Sequence, residues 1–324
     1  MSRHIGIGLA IGIALGSGSV HAQSADTLFK PTQIEVKASE AELMAPARPL
    51  ITGNAMNVFR RFDPKFTDRV VAFYTKALGL RPLSPIQLTA TQQMILTGVG
   101  SGQVKLFAGF QGRRKYDLSG GYKGGTGIRF FTFTYPDEAA LKAAFTAAGF
   151  PAPAFADQGD GTRAAMIDDP AGFPVELVIK AGAKPGSNDG VGVNIAASDI
   201  DKSRAFYREF VGLDEMPPVQ DKLLGLTKYP YRYKETTLYL YQAASTAKGD
   251  NGSAGMQYVV SDAALVDAKG KRRSIPVETP LNNLSGFDLR TVWLNDPDGV
   301  TNYFAQVGQR DRTGQARAVP PTQP

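Results

Sequence analysis

"AFYTKALGL", residues 72–80, is answered by "AFYREFVGL" at residues 205–213. Both carry Phe-Tyr, four further residues, then Gly-Leu. In the first, Val70, Phe73, Tyr74 and Leu78 recur at helical spacing, and the glycine is the expected left-handed stop. Two more words return in the same order: "EAAL" (138–141) as "DAAL" (262–265), and "DPAG" (169–172) as "DPDG" (296–299). The offsets are 133, 124 and 127 residues. Three matches in order at nearly constant offset make the chain a duplication, to be read before any single element.

Each copy has the same internal plan. A strand ("NVFRRF"; "VGVNIAA") leads into the Phe-Tyr helix, and short strands follow ("QVKLFAGF"; "TTLYLYQ"). A second strand–helix passage comes next ("IRFFTFTY" then "PDEAALKAAFTAAG"; "GMQYVV" then "SDAALVDA"), and strands flank the DP-G turn. Each copy is therefore βαβββ written twice, four modules in all. The plan predicts domains over 49–180 and 188–307, a linker at 181–187, a flexible segment at 23–48 and a disordered tail at 308–324.

The first 22 residues run from basic Arg3 through an apolar stretch, Ile5 to Leu15, to small residues ending at Ala22. That is the three-part pattern of a secretory signal, and cleavage after Ala22 places the product in the periplasm or outside the cell. The apolar run falls short of the ~20 residues of a spanning helix, so no membrane span is expected after cleavage. The chain has no cysteine, and its two histidines, His4 and His21, both lie in the signal. A mature chain of this kind excludes disulfides, thiolate nucleophiles, zinc–sulfur sites, Ser-His-Asp triads and imidazole-ligated metals. It retains 35 basic against 30 acidic residues once Arg3 is removed. No Lys/Arg stripe interleaved with aromatics points to nucleic acid. A small-molecule ligand is the expected partner.

Paired βαβββ modules, the Phe-Tyr-x4-Gly-Leu helix and the DP-G turn together resemble the vicinal oxygen chelate superfamily. That group holds glyoxalase I, extradiol dioxygenases, fosfomycin-modifying enzymes and bleomycin-resistance proteins. "AASDIDKSRAFYREFVGL" (196–213) and "IDDPAGFPVELVI" (167–179) carry the likeness most closely. The resemblance implies an α+β protein of two tandem domains, each made of two βαβββ modules forming an incompletely closed eight-stranded barrel. Members that hold a metal draw ligands from the first strand of each module and from the strand after DP-G. Seven residues before Asp199 the family's histidine position falls on Gly192, and seven before Asp262 on Gly255; the glutamate position of copy two is Tyr303. Copy two thus reads as metal-free.

In copy one, Glu176 occupies the family's glutamate position, and its expected partners fall near Phe59 and on Phe130 or Phe131. None is a histidine. Asn57, Arg61 and Arg129 are candidates for the cup face, with Glu176 either a fold relic or a hydrogen-bonding carboxylate that can pair with Arg129 or Arg61; an oxygen-only site for Mg²⁺ or Ca²⁺ is the alternative, and it needs several oxygen ligands. The loop "RRKYDLSGGYKGGTG" (113–127) can bring Arg113, Arg114 or Tyr122 over a cup. Tyr239 and Tyr241 share a strand face by alternation. Asn194 and Gln257 are expected in the cup of copy two, where Gly192 and Gly255 open room. Two functions follow from these residues, beside a purely structural or protein-binding role that the same fold also allows. One is a metal-free, cofactor-free cup binding a small anionic or aromatic ligand. The other is a lyase or isomerase with Glu176 as general base and Arg or Tyr stabilising an oxyanion.

Overall fold

A computed structural model of the chain describes residues 29–89, 92–109, 119–183, 190–247, 254–284 and 287–308. The signal segment, Arg113, Arg114 and the tail beyond 308 lie outside the described residues. An entry segment carries β1 (Phe29–Pro31) and helix α1 (Glu40–Met44). Module one is β2 (Asn57–Phe62), α2 (Thr67–Ala72), β3 (Arg81–Thr89), β4 (Gln92–Val99) and β5 (Gly102–Ala108). Module two is β6 (Gly127–Tyr135), α3 (Glu138–Ala147), β7 (Ala156–Asp157), β8 (Arg163–Asp168) and β9 (Pro174–Ile179). Module three is β10 (Gly192–Ala197), α4 (Ile200–Ala205), β11 (Asp214–Glu215), β12 (Val219–Asp221), β13 (Leu226–Tyr233) and β14 (Thr236–Gln242). Module four is β15 (Ala254–Val259), α5 (Ala263–Arg272), β16 (Val277–Leu284), β17 (Leu289–Asn295) and β18 (Thr301–Val307).

Local chemistry sets these boundaries. Asp137, Asp199 and Asp262 cap α3, α4 and α5 by accepting the N–H of Ala140, Lys202 and Leu265, the side-chain role that favours aspartate at that position. The Phe-Tyr helices widen into π-helical turns, Phe73–Ala77 and Phe206–Val211. They end at Gly79 and Gly212, whose φ values of 67° and 85° fall where only glycine sits without strain.

The modules pair across the sequence halves. One nine-stranded sheet runs β1-β16-β17-β18-β15-β2-β5-β4-β3, joining module one to module four. The other runs β11-β13-β14-β10-β6-β9-β8-β7, with β12 beside β13, and joins module two to module three. Each holds the eight expected strands plus one, mixed parallel and antiparallel, curved into an open cup. We call them cup one and cup two. The seams are antiparallel: Phe59 faces Gly255 and Asn57 faces Gln257 in cup one, Asn194 faces Phe130 and Gly192 faces Thr132 in cup two. Each cup therefore draws one module from each half.

The helix sides hold each half together. The Tyr74 hydroxyl donates to Asp169 at 3.1 Å and that of Tyr207 to Asp296 at 2.9 Å. The DP-G aspartates thus serve the Phe-Tyr helix of their own copy. Arg60, fully buried, also pairs with Asp169; the matching strand position in module three is Ile195. One apolar core runs through both halves, with Phe73, Phe145, Phe206, Phe210, Tyr258 and Phe304 within it.

The entry segment departs from its expected flexibility over residues 29–48. β1 adds to β16, Arg272 pairs with Glu40, and Lys269 donates to the carbonyls of Glu42 and Ala45. Arg48 donates to the Gly212 carbonyl and pairs with Asp214. Polar composition read as disorder here, but Ala47 is buried in the shared core with Ile34 and Val36 packed against it, and the remaining anchors are backbone carbonyls and charges, which composition does not distinguish from solvation.

Candidate functional site

Inward-facing positions alternate along each strand, so the seam registers decide which side chains meet in each cup. In cup one β2 contributes Asn57, Phe59 and Arg61, and β5 contributes Gln103, Lys105 and Phe107. β15 adds Gly255 and Gln257, β17 adds Trp293, and β18 adds Tyr303.

The rings form a connected wall. Phe59 meets Phe107 edge-on at 5.7 Å and Trp293 at 6.3 Å, and Trp293 meets Tyr303 at 5.0 Å. Among them runs an ordered amide chain. The Gln103 N–H donates to Asn57 Oδ1 at 2.9 Å, so Asn57 turns its Nδ2 to Gln257 Oε1 at 3.0 Å. The same Gln257 oxygen accepts from Lys105 Nζ. Burial pulls the Lys105 amine down to about 8 and raises the Tyr303 phenol, which also meets Gln257. Arg61 lies over Phe107 at 4.9 Å. Phe59 and Gln257 are buried, whereas Asn57, Arg61, Gln103, Lys105, Phe107, Trp293 and Tyr303 are only half-buried. Cup one is lined but open.

Cup two is filled. Glu176 Oε2 accepts from the Thr132 hydroxyl at 2.6 Å, and Thr132 Oγ1 accepts from Asn194 Nδ2 at 2.8 Å. Lys228, from β13, reaches Glu176 Oε2 at 3.0 Å and Asp221 Oδ2 at 2.6 Å. It also stands 4.9 Å from the Phe130 ring centre and 5.5 Å from that of Tyr239. All five polar residues are buried. Burial raises Glu176 even though Lys228 opposes it. Burial also pushes Asp221 up, but its bond with Glu176 and the Lys228 charge bring it below its ordinary value. Lys228 loses by burial and gains more from its two carboxyls. The asymmetry is physical: one ammonium serves two acids, and Glu176 is the more deeply buried of the two.

A cover closes this cup. β6 carries a bulge at Arg129, since Phe130 faces Asn194 while Ile128 faces Ile195, and a bulge re-aims its side chain. Arg129 donates to the Gly121 carbonyl at 3.0 Å. Tyr241 donates to the Tyr122 carbonyl at 2.7 Å, and Tyr122 to that of Leu224 at 3.2 Å. Phe130, Ala196, Leu224 and Tyr241 form a small apolar cluster beneath.

Several sequence expectations change. Glu176 does not share a cup with Phe59, which belongs to the other sheet; its cation is Lys228, with Arg61 in cup one and Arg129 on the cover. Phe130 faces the cup and Phe131 the core, 4.8 Å from Phe173. Asn194 and Gln257 stand in different cups because of the module exchange. The two glycines do not open room: a Cβ on Gly255 would lie 2.3 Å from the Phe59 ring, and one on Gly192 would lie 2.8 Å from Thr132 Cβ. Lys105 and Lys228 went unread, although period-two alternation in "QVKLFAGF" and "LTKYPYRYK" puts each on an inward face.

The donor sets do not fit a divalent cation. Among the described residues no three His, Cys, Asp or Glu side chains gather as a metal-binding group. The cation beside Glu176 is an ammonium on a 3.0 Å contact, and another points at Gln257 in cup one. Like charges at such distances repel strongly in a desolvated site.

Residues 66–177 match the family model described as Glyoxalase/Bleomycin resistance protein/Dioxygenase superfamily. No curated protein matches in sequence. Among solved structures, glyoxalase I from Zea mays superposes with a TM-score of 0.60 at 21% identity, over 78% of this chain and 92% of that one. A candidate dioxygenase from Bacillus subtilis gives 0.53 at 14% identity, over 80% and 86%. At these identities the likeness is one of fold.

Proposed function

We propose that this chain, a member of the Glyoxalase/Bleomycin resistance protein/Dioxygenase superfamily, binds a small planar organic anion in cup one while the polar network of cup two braces modules two and three within their own sheet. One observation carries the reading. Lys105 stands half-buried within a wall of Phe59, Phe107, Trp293 and Tyr303, and its hydrogen bond goes to the neutral Gln257 amide. A desolvated ammonium beside flat apolar faces suits a ligand that supplies a ring and a negative charge. Arg61 over Phe107 adds a second cation at the same wall. The signal-like N-terminus supports a place for this binding in the periplasm or outside the cell.

The chain's only tryptophan, Trp293, lies in this cup, so its emission reports occupancy. Titration with 4-hydroxybenzoate should shift that emission, and Lys105→Met should weaken binding roughly 10–100-fold, the worth of a charge-assisted hydrogen bond. Equal binding of neutral benzamide, or an unaffected Lys105→Met variant, would refute the reading.

A second reading, a lyase or isomerase with Glu176 as general base, draws on the raised Glu176 carboxyl, with burial as the main cause. Its distinguishing result is loss of turnover in Glu176→Gln. The Lys228 ammonium and the Tyr122–Leu224 cover favour the bracing role instead.

A further inference from the structure

The buried or half-buried lysines meet different fates. Lys228 lies between two carboxyls, and Lys269 donates to the carbonyls of Glu42 and Ala45. Among the described lysines, Lys105 alone meets a neutral side-chain amide within an aromatic cup. The amide's orientation is determined: Gln103 N–H fixes Asn57, and Asn57 Nδ2 fixes the oxygen of Gln257 toward Lys105. One N–H of the amine is thereby anchored, and nothing in this chain of bonds occupies the nitrogen's lone pair.

From this geometry we infer that cup one is a carbonyl-capture site, in which Lys105 Nζ forms an imine with an aromatic aldehyde whose ring lies against the Phe59–Trp293 wall. The inference rests on cup one being the ligand site. The lone pair attacks the carbonyl carbon, the π pair moves to oxygen, and an N–H proton passes to that oxygen to give a carbinolamine. The carbon–oxygen bond then breaks as the carbon–nitrogen double bond forms. The second N–H proton departs with the oxygen as water, so both amine protons end in water and no oxidant or reductant takes part. Tyr303, kept as the phenol by burial and meeting the same Gln257, is a hydroxyl at this end of the cup. With Lys105 at about 8, roughly a tenth of the amine is neutral at pH 7, against well under a thousandth for an ordinary lysine.

The test uses the full chain, one equivalent of 4-carboxybenzaldehyde and cyanoborohydride, with peptide mass mapping and Trp293 emission read in parallel. Lys105 should label at least tenfold faster than any other lysine, its rate levelling near pH 8. Lys105→Arg should keep the emission change and lose the label. Label spread over other lysines with Lys105 spared, while Trp293 still responds, overturns the imine and leaves the binding site standing. No emission response overturns both.

Discussion

The two DP-G aspartates should respond in opposite ways to the same substitution. Asp169 and Asp296 are built alike. Each Oδ1 accepts two turn N–H groups, Ala171 and Phe173 in one, Asp298 and Val300 in the other, and each Oδ2 accepts a tyrosine hydroxyl. They differ in their charged neighbours, one of them Asp298, which stands beside Asp296 where the other turn has Ala171. Asp169 pairs with Arg60, both side chains fully buried, whereas Asp296 has no such partner at Ile195, and burial pushes it up to about 7 from 3.8. Asp169→Asn removes the charge that balances a buried guanidinium and should cost about 3–5 kcal/mol, as broken buried pairs do. Asp296→Asn replaces an acid already neutral at pH 5.5 and should stay within ~1 kcal/mol there.

The pH dependence sharpens the contrast. Because the folded value lies above the unfolded one, the stability contributed by Asp296 is fully present below pH 3.8 and is lost as pH rises through about 7. A gap of about three units corresponds to at most ~4 kcal/mol. Wild type should therefore weaken between pH 4 and 7, and Asp296→Asn should flatten that slope and be the more stable protein at pH 8.5. Urea unfolding followed by Trp293 emission and far-ultraviolet dichroism at pH 5.5 and 8.5 measures both. If Asp296→Asn is as damaging as Asp169→Asn at pH 5.5, or leaves the slope unchanged, the account of these two sites is wrong.

Lys228→Met should destabilise by about 3–5 kcal/mol by leaving Glu176 and Asp221 face to face without their cation, and adding Glu176→Gln should recover part of that loss in thermal melts. Glu176→Gln alone should leave binding of 4-hydroxybenzoate by cup one unchanged in the Trp293 titration. Protein recovered from an exporting host should begin at Gln23 by mass spectrometry; an intact leader in the membrane fraction would contradict cleavage.

Much of the architecture was legible because local rules write it. The Phe-Tyr helix needs its glycine stop, the DP-G turn needs its glycine, and three aspartates cap helices where the repeat places them. Which module pairs with which was not legible. The inner edges β2 and β6 carry similar strand sequences, so Asn57 could meet a strand of either half, and the choice emerges only from packing. That single ambiguity misassigned Phe59, Asn194 and Gln257. The lysines were missed for another reason: a lysine in a strand reads as solvent-facing unless the open face of a cup is already known to receive it.

The crossed pairing also bears on how the molecule assembles. Asn194 joins Thr132 across 62 residues, but Asn57 joins Gln257 across 200. Closing the longer span adds only about 1 kcal/mol of loop entropy, since that penalty grows logarithmically. During synthesis the second and third modules can meet while the first waits for the last strands to emerge, so cup two is the natural template and cup one the closing step. Two separate half-chains exchanging the same seams would form an intermolecular pair, with a melting point that falls on dilution. Here one polypeptide carries both halves, and cup one keeps its shape at any protein concentration.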